Sequence, residues 1–122
     1  MTKIPKSERQ PKKLPASFYE TPAGTEPVRE WIKALDPAGR KIIGDDIATL
    51  EFAWPVGMPV CRPLGDGLFE VRSTLEGNRI ARIMFCTTKE SLVLLHAFVK
   101  KTQKTPTADL ALARKRKKDI DE

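Results

Sequence analysis

The side chains able to hold anions or move protons gather in the second half of the chain. They are Glu70, Arg72, Arg79, Arg82, His96, Phe98 and the lysines Lys100, Lys101 and Lys104. Arginine and lysine suit phosphate, and an aromatic ring offers a stacking surface to an unpaired base. His96 is the only histidine, and histidine is the side chain that transfers protons near neutrality. A single histidine excludes a multi-histidine metal site, and two cysteines, Cys61 and Cys86, give neither a disulfide framework nor a CxxC pair. No Ser-His-Asp spacing and no phosphate-binding glycine loop is present, and Gly65-Asp66-Gly67 reads as a turn. Each group also has a plain structural reading. Arg72 pairs with Glu70 or Glu76, and His96 is a hydrogen-bonded strand residue.

Strand alternation decides which of these groups meet, because side chains point to opposite faces with period two. Leu68 to Leu75 and Arg79 to Thr87 read as a hairpin about Glu76-Gly77-Asn78, followed by a strand from Ser91 to Val99. Strict alternation puts Val93, Leu95, Ala97 and Val99 on one aliphatic face. Leu92, Leu94, His96, Phe98 and Lys100 then lie opposite. This predicts an open concave surface carrying Glu70, Arg72, Arg82, His96, Phe98 and Lys100, with Lys101, Lys104 and Arg79 at its rim.

The aliphatic face needs helices to cover it, and the first half of the chain supplies them. Ala16 to Tyr19 is a short strand candidate. Thr25 caps a first helix with Pro27 in its first turn and Val28, Trp31, Ile32 and Leu35 on one face. Asp36-Pro37 caps and starts a second, with Ile43, Ile47, Leu50 and Trp54 at helical spacing up to Pro55. Gly39 and Gly44 weaken its first turns. Met58 to Leu64 reads as a proline-broken edge strand. From Pro106 onward a helix runs to the end, basic nearly all round through Arg114-Lys115-Arg116-Lys117-Lys118. The order β-α-α-β-β-β-β-α predicts an α+β domain, with helices on one face of a mostly antiparallel sheet. The other face stays open unless the last helix covers part of it.

Composition is consistent with one globular domain. The chain has 122 residues, 40% hydrophobic and 31% charged, with a formal net charge of +6. Residues 1–15 form a basic, proline-containing arm of net +4, and residues 16–122 form the folded domain. Residues 100–122 also carry net +4, so the body between the ends is net −2. Basic ends suit a polyanion, and Lys115 and Lys117 are candidates to grip it. No stretch is apolar and long enough to span a bilayer, and the charged N-terminus lacks the apolar run of a secretory signal. These features predict a cytoplasmic protein with no membrane partner.

Several stretches resemble the phage-derived HigB-like branch of the RelE/ParE toxin superfamily. They are Leu68-Phe69-Glu70-Val71-Arg72, Arg82-Ile83-Met84-Phe85 and the run from Leu94 through His96-Ala97-Phe98-Val99-Lys100-Lys101-Thr102-Gln103-Lys104-Thr105-Pro106. Pro27-Val28-Arg29-Glu30-Trp31 and Leu64-Gly65-Asp66-Gly67 are similar to the same branch. The resemblance covers about residues 16–120 and implies a RelE-like fold with an N-terminal helical hairpin on one sheet face. It implies the toxin of a type II toxin–antitoxin pair, a ribosome-dependent endoribonuclease that cuts mRNA without a cofactor. The 2′-OH would attack the adjacent phosphate. The implied partners are the ribosome, mRNA and a HigA-like antitoxin with a helix-turn-helix domain. Arg82 and Arg72 would stabilise the phosphate, and Lys100 and Lys101 would grip it. His96 would act as acid or base, with Glu70 the competing base. RelE proper has a tyrosine after the basic pair, and here the only tyrosine is Tyr19, near the N-terminus. Two other functions remain open on this fold. One is a ParE-like gyrase inhibitor, and the other is a non-toxic nucleic-acid-binding module.

Overall fold

The computed structural model describes residues 13–55, 61–100 and 106–121. Its elements run β1 (Ala16–Phe18), α1 (Pro27–Lys33), α2 (Pro37–Ala53), β2 (Cys61–Gly65), β3 (Leu68–Thr74), β4 (Ile80–Thr87), β5 (Leu92–Lys100) and α3 (Thr107–Asp121). This is the α+β order expected from the sequence. Most of the N-terminal arm and the first part of the Met58 strand candidate lie outside the described residues. No helix among the described residues is long and apolar enough to cross a membrane.

Five strands form one sheet in the order β1-β5-β4-β3-β2. Only β1 runs parallel to its neighbour, pairing Ser17 with Val93 on β5. The other ladders are antiparallel. The β3–β4 hairpin closes through a turn at Glu76–Asn78, where Gly77 takes φ 75°.

Local chemistry sets the helix starts. Pro27 opens α1, but Glu26, not Thr25, stands at the cap, without a side-chain cap bond. Thr25 instead pairs with Thr21 across the preceding turn, Oγ1 to Oγ1 at 2.6 Å. Asp36 caps α2 as expected, its Oδ1 accepting from the Gly39 amide at 2.8 Å. Gly39 is required by that cap, because a Cβ there would lie 2.9 Å from Asp36 Oδ1.

The sheet is covered on both faces. One core joins α1 and α2 to the sheet through Val28, Ile43, Leu50, Val71, Ile83, Phe85, Leu92 and Leu94. Trp54 meets Phe69 and Phe85 edge-on in that core, with centroids 5.0 and 5.4 Å away, so both tryptophans are packing residues. The second core lies under α3 and contains Tyr19, Leu68, Met84, Cys86, Val93, Leu95 and Ala113. The last helix therefore closes much of the face that sequence alternation leaves open.

The membership of these cores corrects the face assignment on β5. Leu92 and Leu94 face α1 and α2, and Val93 and Leu95 face α3. The cause is a β-bulge. Met84 pairs with His96 while the next residue, Phe85, pairs with Leu94, which leaves Leu95 as the extra residue. Beyond the bulge, Ala97 and Val99 face the helical hairpin and Phe98 faces α3, as alternation predicts.

Candidate nucleic-acid interface

Two rows of side chains cross the α3 side of the sheet. Cross-strand partners share a face, so the register places them. The first row is Arg72 on β3, Arg82 on β4 and Phe98 on β5. The second is Arg62 on β2, Glu70 on β3, Met84 on β4 and His96 on β5. Three arginines and one carboxylate thus surround one patch, with an aromatic and a histidine beside them.

The patch is deeper than an open concave surface. Glu70 is 0% exposed and Arg82 4%. The Arg82 guanidinium donates to Glu70 Oε1 through one nitrogen, a buried ion pair. Glu70 Oε2 and Arg82 Nε have no partner among the described residues. On this side α3 packs over β4 and β5. Arg72 and Arg62 remain exposed. The partner of Glu70 is Arg82, not Arg72.

His96 is half-buried between the sheet and the first turn of α3. Its Nε2 lies 2.5 Å from Asp109 Oδ1. An ionised carboxylate only accepts, so Nε2 carries the proton there. The His96 ring also stacks on Phe98, with centroids 5.6 Å apart and planes 24° from parallel. The pair fixes the ring from one edge and one face.

The basic helix is less free than its sequence suggests. Arg114 donates to Leu64 O at 2.8 Å and reaches Asp66 Oδ2 at 3.4 Å. Arg116 donates to Leu95 O at 2.7 Å and lies over the Tyr19 ring, 5.4 Å from its centroid. Two of the five basic residues at 114–118 are therefore fastenings that hold α3 to the sheet. Lys115 and Lys118 are exposed, and Lys117 is half-buried beside Gly67.

Tyr19 donates its hydroxyl to Asp119 at 2.8 Å. That bond to a carboxylate, with burial second, raises the phenol above its ordinary 10.0. Burial and then the Glu70 charge push the Cys61 thiol up to about 11.

Among the residues proposed from sequence, the structure brings Glu70, Arg72, Arg82, His96 and Phe98 together. Arg79 sits apart, folded onto the hairpin turn with Nε donating to Glu76 O at 3.1 Å. The Lys100 backbone ends β5 opposite Ile80. Lys101 and Lys104 lie outside the described residues. Sequence reasoning missed Arg62 and Asp109. Arg62 sits before Pro63 in the strand read as a proline-broken edge, whose side chains were not assigned to a face. Asp109 in the first turn of α3 is also what an ordinary helix start favours, so it gave no separate signal.

No curated protein matches the chain. A family model described as phage derived protein Gp49-like (DUF891) matches residues 30–118, from α1 through most of α3. That span contains every residue of both rows, and the chain belongs to this Gp49-like family of phage-derived proteins, a RelE-like, toxin-like family.

Proposed function

We propose that the protein is the toxin of a type II toxin–antitoxin pair, on the HigB-like branch, acting as a ribosome-dependent mRNA endoribonuclease. The observation that carries this reading is the Arg72–Arg82–Phe98 row beside a His96–Asp109 pair. Phosphate-binding, base-stacking and proton-transfer chemistry lie side by side there. The ribose 2′-OH attacks the adjacent phosphate, forming a 2′,3′-cyclic phosphate and releasing the 5′-oxygen, which takes up a proton. This chemistry needs a base for the 2′-OH, positive charge on the phosphorane oxygens and an acid for the leaving group.

Arg72, exposed, is the direct phosphate contact. Arg82 lies beneath, its charge balanced by Glu70, and turns a fixed dipole toward the patch from a buried position. Glu70 is accordingly a positioning residue more than a base, since its carboxylate is buried and engaged. His96 exchanges the proton, and Phe98 offers its ring to a neighbouring base. Lys100 ends the strand that carries His96, and Lys101 and Lys104 come after it in sequence, so they suit flanking phosphates. A helix-turn-helix antitoxin and a cytoplasmic ribosome complete the setting.

The test is cleavage of mRNA on programmed ribosomes by the purified protein. A cut in the A-site codon, lost with Arg72→Ala, is expected. Intact mRNA together with blocked gyrase supercoiling would overturn the reading in favour of a ParE-like inhibitor.

A further inference from the structure

We propose that Arg62, on the edge strand β2, binds the mRNA phosphate next to the one that is cut. This rests on reading the Arg72–Arg82 row as the RNA-handling surface, and it lays the RNA across the strands from β5 toward β2. Behind it stands one juxtaposition: two exposed guanidiniums, Arg62 and Arg72, beside the buried carboxylate of Glu70.

The ladder fixes where Arg62 points. Cys61 and its partner Val71 are both buried in the core under α1 and α2. The next pair, Arg62 and Glu70, therefore faces the other way, toward α3. Arg62 is also a diagonal neighbour of Arg72, with Cα atoms about 7–8 Å apart. Pro63 follows Arg62 and confines it to extended backbone. A proline also has no N–H to offer a further strand at this edge.

Glu70 lies beside Arg62 but is not its partner. The carboxylate is 0% exposed, and its Oε1 receives Arg82. Even Oε2, which has no partner, does not draw Arg62 down. Neither Arg62 nor Arg72 is held by a hydrogen bond or ion pair among the described residues. The five residues that lead into β2, Val56-Gly57-Met58-Pro59-Val60, carry no charge. A free guanidinium takes a phosphate through two parallel N–H bonds, and two of them at this spacing suit neighbouring phosphates of one strand.

Distance separates the roles of the two arginines. Arg62 and His96 end one cross-strand row, three strand spacings or about 14 Å apart. Glu70 and Met84, both 0% exposed, stand between them. Arg72 is on β3, one spacing nearer to His96. The phosphate that reacts beside His96 therefore falls to Arg72, and the next one toward β2 falls to Arg62. Arg62 anchors the substrate and sets its register, and it does not touch the reacting atoms.

The experiment uses the full-length Arg62→Met variant, which removes the charge and keeps an unbranched stem, on ribosomes programmed with a synthetic mRNA. Lys33→Met, exposed on α1, is the control for net charge. Arg62→Met should raise the protein concentration for half-maximal cleavage about tenfold, the effect of one lost charged contact. The single-turnover rate at saturation should stay within about twofold of wild type, because the contact is made equally before and during the reaction. Neutral methylphosphonate linkages, each on a 2′-deoxy sugar, are then placed one at a time beside the cut. One of them should weaken wild type about tenfold and leave Arg62→Met unaffected, the coupling expected of a direct contact. If Arg62→Met matches Lys33→Met while Arg72→Ala still slows cleavage, the assignment falls and the RNA reading stands. The same holds if every neutral linkage weakens Arg62→Met as much as wild type, which would turn Arg62 toward the ribosome itself. A saturated rate that drops as far as that of Arg72→Ala overturns it too, by placing Arg62 at the reacting phosphate. Wild-type protein that leaves the mRNA intact overturns both readings together.

Discussion

Arg72 stands directly opposite Arg82 across the β3–β4 ladder. Like charges at one cross-strand position destabilise a sheet. The fold relieves this by sending the two guanidiniums apart. Arg82 turns down onto Glu70, and Arg72 remains in water. A local arrangement that works against stability is expected at a functional surface, and it separates two roles that the sequence presents as equivalent.

Arg72→Ala should therefore leave stability unchanged or slightly raise it. It removes an exposed side chain and a like-charge neighbour. Cleavage on programmed ribosomes should fall by about a hundredfold, the usual effect of losing a transition-state charge contact. Urea denaturation checks the first outcome and single-turnover cleavage the second.

Arg82→Ala behaves differently, because it strands Glu70 in the core. Breaking a buried pair from one side costs about 3–5 kcal/mol. Glu70→Gln should cost a comparable amount by leaving Arg82 uncompensated. Replacing both, as Glu70→Leu with Arg82→Met, should be less destabilising than the two single changes added together. A double-mutant cycle in urea measures that coupling. Additive losses would mean that the pair contributes nothing as a pair.

His96→Gln should lower the cleavage rate much more than it lowers ribosome affinity, since a proton-transfer group acts in the transition state. Asp109→Ala should lower the rate by a smaller factor, because it frees the ring without removing it. An unchanged single-turnover rate for His96→Gln at saturating protein would remove His96 from the mechanism.

Two acid groups raised in the folded chain should weaken it at alkaline pH. The Cys61 thiol moves from 9.0 to about 11 through burial first and then the charge of Glu70. A raised folded value favours the protonated form. Its stabilisation is complete below pH 9.0 and lost as pH rises toward 11. Tyr19, raised above 10.0 by its bond to Asp119, adds a loss in the same direction at higher pH. Thermal midpoints at pH 8 and pH 11 should fall less for Cys61→Val and for Tyr19→Phe than for wild type. Equal falls in all three proteins would refute this assignment.

The sequence carried the element order because the signals are local. Asp36-Pro37 marks a helix start, Glu76-Gly77-Asn78 a hairpin turn, and the apolar spacing a helix face. It also placed Glu70, Arg72, Arg82, His96 and Phe98 on one side, since β3, β4 and the end of β5 alternate regularly. Depth was not legible. α3 docks on the side of the sheet that carries Arg82, and that docking uses Arg114 and Arg116, which read in sequence as part of a solvated basic run. The faces of Leu92 to Leu95 were inverted because alternation was counted straight through Leu95.

That same residue bears on α3 as well as on the register. A chain lacking Leu95 would pair Leu94 and His96 in regular succession and keep every other side chain of β5 on its present face. It would lose one apolar side chain beneath α3 and the carbonyl that receives Arg116. The sheet and its helical hairpin would survive such a deletion, and the terminal helix would be held by Arg114 at Leu64 O and by Asp119 at Tyr19 without the help of Arg116. The inserted residue thus serves the seating of the terminal helix more than the sheet it interrupts.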